Sequence, residues 1–428
     1  MQEAHDPYGA LRQRDYRRLL SSSVLYTLGI EMQAVAVGWE LWLRTGSALA
    51  LSFVGLAQFL PVLVLALPAG QAADRHDRKK LLMAAQGLAA LTSLGLAAIS
   101  YGEGPVEWMY LCLLMVGVAR AFNVPARWAL LPQVVPPHLL ANAVTWNSSG
   151  FQIANVAGPA LGGLVVATII PAGTYLLTAL CALCCVGLTS TLRTHKVPPP
   201  KETRSLQTLL AGIRFVWQTK PVLATITLDL FAVLLGGATA LLPIYAKDIL
   251  HAGAVGLGWL RAAPALGALV MGLVLAHHPP LRYAGKTLLA AVSGFGVATI
   301  VFGLSDYFPL SFAMLMVTGA LDNISVVVRG TLVQTLAPEA MRGRVGAVNI
   351  IFVSSSNELG AFESGVTAHL FGPIASVVMG GYGTVLVVLG VMALWPALIR
   401  LSLERPTKAN QELPAPPEET LAPPVEMP

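Results

Sequence analysis

The sequence GQAADRHDRKK, residues 70–80, lies between two long apolar runs of the chain. Each run has about the 20 residues that an α-helix needs to cross a lipid bilayer. The two aspartates, two arginines and two lysines of the stretch must then lie at the membrane surface, where water and lipid headgroups solvate charge. The stretch therefore predicts a short polar loop between two membrane-spanning helices.

The apolar character extends over the whole chain. Of its 428 residues, 55% are hydrophobic and only 11% are charged, and the mean hydropathy is +0.67. Soluble proteins carry about 25% charged residues, and a soluble chain so poor in charge would expose large apolar patches. The sequence pI of 9.1 does not indicate nucleic-acid binding, because the basic residues are spread over short loops rather than gathered in one patch.

Apolar runs of spanning length recur along the chain and predict an all-α membrane protein with twelve transmembrane helices. The expected spans are 19–42, 50–69, 81–100, 108–128, 141–166, 172–192, 221–245, 255–276, 286–304, 308–330, 345–368 and 376–400. They form an N-terminal half, 1–192, and a C-terminal half, 221–403, on either side of a polar cytoplasmic connector, 193–220. The tail, 404–428, is rich in proline and glutamate and is expected to be disordered.

The two halves resemble each other weakly in sequence. The segment that begins at Trp128 aligns with the one that begins at Arg329, so that Gln133 matches Gln334. Each segment lies between the fourth and fifth predicted spans of its half. Repeated halves of this kind predict two pseudo-symmetric six-helix bundles around a central cavity.

Positive charge is distributed unevenly between the two sides of the predicted bundle. Arginines and lysines fill the loops of one side, whereas the opposite loops hold little beyond Arg44 and Lys247. Loops rich in these residues stay in the cytoplasm. The pattern predicts a multi-pass protein of the cell membrane (inner or plasma membrane) with both termini cytoplasmic.

The stretch 70–80 resembles the loop between the second and third spans of the major facilitator superfamily of secondary transporters. That loop reads Gly, three residues, Asp-Arg, two residues, and Arg-Lys or Arg-Arg. The matching positions are Gly70, Asp74, Arg75, Arg78 and Lys79, and the departures are Ala72 for the usual Leu and Asp77 for the usual Gly. The resemblance implies a gating loop in which Asp74 caps a helix end across the interface of the halves and favours the outward-facing state.

The predicted fifth span carries Gly158, Pro159, Gly162 and Gly163 in the sequence GPALGG. Proline removes a helix hydrogen bond and glycine permits close helix contact, so a packing seam is one interpretation. The pattern also resembles the GPxxGG motif typical of exporters and antiporters in the superfamily, although Ala154 replaces the preferred upstream glycine. The motif favours export.

Charged groups inside spans cost several kcal/mol unless they are paired or hydrated, so each is a functional candidate. The candidates for proton coupling are Glu31, Arg120, Asp322, Glu358 and Glu363. Glu31 lies near the middle of the first span, where a carboxyl group facing a cavity is neutral when the cavity is apolar and ionised when water enters. The alternative is a glutamate hydrogen-bonded to neighbouring helices.

Helical spacing groups some of these charges. Arg120, Asn123 and Arg127 share one face of the fourth span, and Arg120 resembles the buried arginine of the drug/proton antiporters in this superfamily, although the small residues expected after it are missing. In other spans, Asp322 and Arg329 share a face of the tenth, Glu358 and Glu363 lie on different flanks of the eleventh, Asp229 lies in the seventh and Arg261 in the eighth. Glu40 and Arg44, four residues apart, are expected to form a surface ion pair.

Longer stretches resemble the enterobactin-exporter-like branch of the superfamily. They are RDYRRLL (14–20), the stretch 35–61 that begins VAVGWELW, and the stretch 357–384 that begins NELGAFESG. The resemblance covers nearly the whole chain. It implies export of a siderophore or a drug-like compound by proton antiport with alternating access, and therefore a small-molecule substrate, protons and the lipid bilayer as partners.

Other functions stay open at this point. The same fold could serve uptake or the flipping of a lipid or lysolipid. A membrane-embedded enzyme is less favoured, since the sequence has no HExxH, GxSxG or nucleotide-binding loop, and a sensor would need a larger cytosolic domain. No cofactor or metal is expected, because Cys181, Cys184 and Cys185 have no nearby histidine or acid. A monomer is expected, with no nucleic-acid partner.

Overall fold

A computed structural model of the protein describes residues 6–194, 213–277 and 283–400. These residues are almost entirely helical and contain no strand. Most of the predicted connector and the whole of the predicted tail, 404–428, lie outside the described residues.

Eleven long helices make up the described part of the chain. They are α1 (Arg14–Thr45), α2 (Ala48–Arg75), α3 (Arg78–Tyr101), α4 (Val106–Val134), α5 (Leu140–Ser190), α6 (Lys220–Gly236), α7 (Gly253–His277), α8 (Ala284–Leu304), α9 (Phe308–Leu336), α10 (Glu339–Phe371) and α11 (Pro373–Leu394). Short helical turns continue α6 as far as Ile249, the last of them a π-helical turn from Tyr245. A four-residue turn, Gly9–Arg12, precedes α1.

Ten helical segments among the described residues are long and apolar enough to cross a membrane. One of them is 54 residues long, more than twice the length that a single crossing requires. Helix α10, which carries Glu358 and Glu363, is not among the ten. The all-α membrane fold predicted from the sequence is therefore confirmed.

The 54-residue segment is a helical hairpin. Ile170 in α5 has a non-helical conformation with φ of 66°, and the chain reverses there. The contacts with α1 that show the reversal are Gly150 with Val24 and Gly162 with Met32 for the first arm (140–169), and Tyr175 with Glu40 and Cys185 with Ser22 for the second arm (171–190). The arms run antiparallel, and twelve crossings in two pseudo-symmetric bundles stay a prediction with which the hairpin is consistent.

The predicted loop at residues 70–80 is much shorter than expected. Gly70, Asp74 and Arg75 lie on the last two turns of α2, and Arg78 and Lys79 form the first turn of α3. Alanine is the strongest helix former, and the pair at 72–73 lets α2 continue past the apolar run.

Asp77 explains why α3 begins immediately afterwards. Its carboxylate accepts hydrogen bonds from the backbone N–H groups of Lys79 and Lys80, at 3.0 and 3.3 Å. This is the N-cap arrangement, which satisfies donors that have no partner inside the helix. The aspartate that departs from the superfamily pattern therefore starts a helix.

Contacts between the first half (6–194) and the second half (213–400) cluster at the end of the bundle where α1 passes into α2. We call this the joined end. There, Trp42 Nε1 donates a hydrogen bond to Asp248 at 2.8 Å. Gly163 of α5 lies against Gly258 of α7, and Gly365 of α10 lies against Ser52 of α2. The charge distribution in the loops predicts that the joined end faces away from the cytoplasm.

Candidate functional site

Four charged side chains from four helices converge near the middle of the bundle. Glu31 of α1 and Arg120 of α4 belong to the first half, and Arg261 of α7 and Glu358 of α10 belong to the second. Glu358 lies within electrostatic range of the other three, and Arg261 is also within range of Glu31. This central charge cluster brings together three of the predicted candidates and one residue, Arg261, to which the sequence assigned no role.

The two charged groups of the second half touch helices of the first. Arg261 Nη1 donates a hydrogen bond to the carbonyl oxygen of Ala34 at 3.3 Å. The carboxylate of Glu358 lies against α2, where a Cβ built on Gly55 would be 2.8 Å from Glu358 Oε2. The cluster therefore spans the interface, and a movement of one half against the other changes its geometry.

The GPxxGG motif lies directly beside the cluster. A Cβ on Gly158 would lie 2.6 Å from the Cβ of Glu31, and a Cβ on Gly162 would lie 2.8 Å from Met32 Cα. A Cβ on Gly163 would lie 2.8 Å from Gly258 Cα in the other half. The motif thus packs the first arm of α5 against α1 on one side and against the second half on the other.

Polar groups without partners extend the cluster along α4. Asn123 is buried, and its Nδ2 has no hydrogen-bond partner in the described part of the chain; the same holds for Nε of Arg127 and the hydroxyl group of Tyr26. Tyr26 lies within electrostatic range of Arg120 and Arg127. Buried polar groups normally have partners, so this face of α4 offers hydrogen-bonding capacity to water or a ligand.

A second set of charges lies inside the second half. Asp229 of α6 and Arg329 of α9 form an ion pair, with only 4% and 3% of each residue exposed. Ser325 Oγ donates to Asp229 Oδ1 at 3.4 Å, and Asp322 lies within electrostatic range of both charged partners. We call Asp229, Asp322 and Arg329 the second-half cluster.

The second-half cluster was only partly predictable. The seven-residue spacing correctly placed Asp322 and Arg329 on one face of a helix, but the partner of Arg329 comes from α6. Nothing in the sequence links two residues a hundred positions apart. Glu363 joins neither cluster in the described part of the chain and interacts with the adjacent Ser364.

The residues predicted to gate the bundle are anchored within the first half. Arg78 donates to the carbonyl oxygens of Ala73 and Ala129, both at 3.2 Å, and Lys79 Nζ donates to that of Leu192 at 2.9 Å. Asp74 is partly buried and forms no ion pair with any described residue. No contact of Asp74 across the interface is seen among the residues that the structure describes, and the gating role stays a prediction.

Glu40 and Arg44 differ from expectation. They form an ion pair at 2.5 Å, but Glu40 is only 4% exposed, because Tyr175 of α5 covers it and donates a hydrogen bond to Glu40 Oε2 at 2.8 Å. Arg44 also donates to the carbonyl oxygens of Ser100 and Gly104. The prediction of a surface pair was wrong, and the pair instead ties α1, α3 and α5 together near the joined end.

Comparison with known proteins assigns the chain to a family. The model of the family described as "Transmembrane secretion effector" matches residues 5–423. The multidrug efflux pump Tap of Mycolicibacterium fortuitum is 29% identical over 400 residues, which are 90% of this chain and 96% of Tap. The enterobactin exporter EntS of Citrobacter koseri is 29% identical over 394 residues, which are 90% of this chain and 92% of EntS.

Solved structures show the same fold. A bacterial homologue of the human lysosomal transporter Spinster, in an inward-facing and unoccupied conformation, superposes with a TM-score of 0.70 at 15% identity, over 92% of this chain and 97% of the other. The nucleoside transporter NupG gives a TM-score of 0.70 at 15% identity, over 89% of this chain and 99% of the other.

The family match covers nearly the whole chain and agrees with its membrane-crossing helices. The protein is therefore a multi-pass membrane transporter and not an enzyme, and the two named relatives are efflux transporters. The resemblance seen in residues 70–80 and in the longer stretches is confirmed. The chain belongs to the transmembrane secretion effector family of the major facilitator superfamily.

Proposed function

We propose that this protein exports a small amphipathic molecule, a drug-like compound or a siderophore, by proton antiport with alternating access. The observation that carries the proposal is the central charge cluster, because both halves contribute to it at mid-depth in the bundle. The functions of the relatives Tap and EntS, multidrug efflux and enterobactin export, support the direction of transport and the class of cargo.

The cluster suits cargo that carries both charge and apolar surface. Two arginines and two glutamates balance one another while the site is empty, and charged groups at this depth require partners or water. A charged cargo can replace one partner of the cluster, while the adjacent polar groups of Asn123 and Arg127 supply further hydrogen bonds. Cargo binding therefore weakens contacts between the halves.

The positions at which the halves touch support alternating access. In this conformation they meet at the joined end through Trp42 and Asp248 and through Gly163 and Gly258. We propose that this is the inward-facing state and that the joined end opens outward in the alternative state. Asp74 would then cap a helix end of the second half, as in related transporters. A shift of a few kcal/mol between the states is sufficient.

Orientation and localisation are part of the same proposal. The transporter lies in the cell membrane with both termini in the cytoplasm, because the lysine- and arginine-rich loops belong on that side. It acts as a monomer, since the two halves of one chain supply all four charges of the central cluster.

Everted membrane vesicles that contain the protein test the proposal. The vesicles are energised to an acidic interior that a pH-sensitive dye reports, and ethidium, as a lipophilic cation, and enterobactin are added in turn. We expect cargo-dependent loss of the proton gradient, which Arg120→Gln abolishes and Glu107→Gln, at the exposed outer start of α4, leaves intact. Silence with both compounds, from well-inserted protein, would instead favour uptake or lipid flipping.

A further inference from the structure

The two charged clusters differ in their balance of charge. The central cluster holds two glutamates and two arginines, so it is neutral when all four are ionised. The second-half cluster holds Asp229, Asp322 and one cation, Arg329, so it carries one uncompensated negative charge when both aspartates are ionised. An unpaired charge inside a membrane is costly, and a bound proton removes that cost.

A small cavity lies beside Asp322. Asp229, Asp322 and Ser325 line one side of a cavity of about 10 Å³ between α6, α8 and α9, and Val292 and Phe295 of α8 line the other. This is close to the smallest volume that holds a water molecule. Asp322 lines this cavity directly, and the residue as a whole is partly exposed.

Two polar groups near Asp322 in the chain have no hydrogen-bond partner among the described residues. Arg329 is 3% exposed, and its Nε has no acceptor there. Oδ1 of Asn323, next to Asp322, has no donor there and faces Gly272 of α7. Buried donors and acceptors normally have a partner, so these two groups can bind water.

No other charge among the described residues compensates Asp322. Its electrostatic neighbours are Asp229 on α6 and Arg329 on its own helix. The other titratable residues on the described parts of α7 and α8 lie elsewhere: Arg261 is in the central cluster, His277 is at the end of α7, and Lys286 is in the first turn of α8. The cavity face of α8 is apolar.

We propose that Asp322 is the proton-binding site of the transport cycle, that Asp229 and Arg329 form the fixed ion pair beside it, and that the central charge cluster binds cargo. The proposal rests on the proposed proton antiport. A proton from water forms an O–H bond on the Asp322 carboxylate, which makes the cluster neutral. The same bond breaks when that carboxyl group gains access to water on the opposite side.

Asp322 is better suited to this exchange than Asp229. The Asp229 carboxylate already pairs with Arg329 and accepts a hydrogen bond from Ser325. Protonation of Asp229 would leave a buried guanidinium group without its partner, which is strongly unfavourable. Protonation of Asp322 leaves the ion pair intact.

Infrared difference spectroscopy of the purified protein in lipid tests the site without any cargo. Between acid and alkaline pH, the wild-type protein should show the C=O stretching band of a titrating protonated carboxyl group, shifted in D₂O. We expect Asp322→Asn to lose this band and Asp306→Asn, in the exposed turn between α8 and α9, to retain it. Asp322→Glu should keep a titrating band and shows that the helix tolerates substitution there.

Proteoliposome assays then connect the site to transport, with ethidium as the probe. Asp322→Asn should lose accumulation driven by a proton gradient but retain exchange of labelled for unlabelled ethidium without a gradient. Retention of the infrared band in Asp322→Asn, or its loss in Glu31→Gln instead, would overturn the assignment. If the band depends on Asp322 while the wild-type protein shows no proton-driven transport, the site stands and the proposed antiport is wrong.

Discussion

Glu31 occupies the space that a side chain at position 158 would need. A Cβ on Gly158 would lie 2.6 Å from the Cβ of Glu31 and 3.1 Å from the carbonyl oxygen of Leu28. The first glycine of the export-type motif, Gly158, therefore leaves the space that Glu31 of the neighbouring helix occupies. This contact joins two features, the motif and the in-span glutamate, that the sequence presents separately.

Gly158→Ala should impair the protein through this contact. An added methyl group must push α1 away from α5, and overpacking of this kind typically costs about 1–3 kcal/mol. We expect a lower melting temperature and reduced ethidium export. Gly187→Ala, on the second arm of the same helix with nothing within 4 Å of an added Cβ, is the matched control. Equal behaviour of the two variants would contradict the packing role.

Arg329→Gln should destabilise the second half strongly. It leaves Asp229 buried without a cation, and breaking a buried ion pair from one side costs about 3–5 kcal/mol. The double variant Asp229→Asn with Arg329→Gln removes both charges and should recover much of the loss. Unfolding of the single and double variants in a double-mutant cycle measures the coupling, and purely additive effects would show that the pair contributes little.

Glu31→Gln should change which cargo is carried. The substitution leaves the central charge cluster with one excess positive charge, so cationic cargo loses an attractive partner and anionic cargo does not. We expect ethidium export to fall more than export of an anionic dye such as calcein, measured in parallel in the same vesicles. A uniform loss of both activities would indicate that Glu31 carries the proton instead.

Substitutions of Asp74 and Asp77 should have different effects, one on transport and the other on stability. Asp77→Ala removes the N-cap of α3 and should cost about 0.5–2 kcal/mol, whereas Asp77→Asn keeps an oxygen acceptor and should be close to neutral. Asp74→Asn should leave the melting temperature unchanged but reduce transport, because the outward-facing state loses its anionic cap. Unchanged transport in Asp74→Asn would argue against the gating role.

Hydropathy predicted the membrane fold well because it is a local property of the sequence, whereas the orientation that loop charge predicts stays a prediction. A packing seam was one of two interpretations of the motif at 158–163, and the structure adds what its glycines contact. Where prediction failed, the reason was a neighbour that is distant in sequence. Glu40 is buried because Tyr175 covers it, and the extended end of α2 was missed because alanines there are helical without being strongly apolar.

In the candidate site, too, local patterns in the sequence were predictable and contacts between distant residues were not. Spacing along one helix placed Asp322 and Arg329 on a common face, and depth in the span singled out Glu31. Only the three-dimensional structure shows that Arg261 contacts the first half and that Arg329 pairs with Asp229. Which helix faces which neighbour depends on the tertiary arrangement, and a single sequence carries little information about it.

The reversal of α5 at Ile170 has a mechanical consequence. Its two arms pack against α1 and run in opposite directions. The arms are joined at Ile170 without a polar loop between them. The three helices therefore pack as one unit. A movement of α1 at the central charge cluster would carry Gly163, at the contact with the other half, along with it.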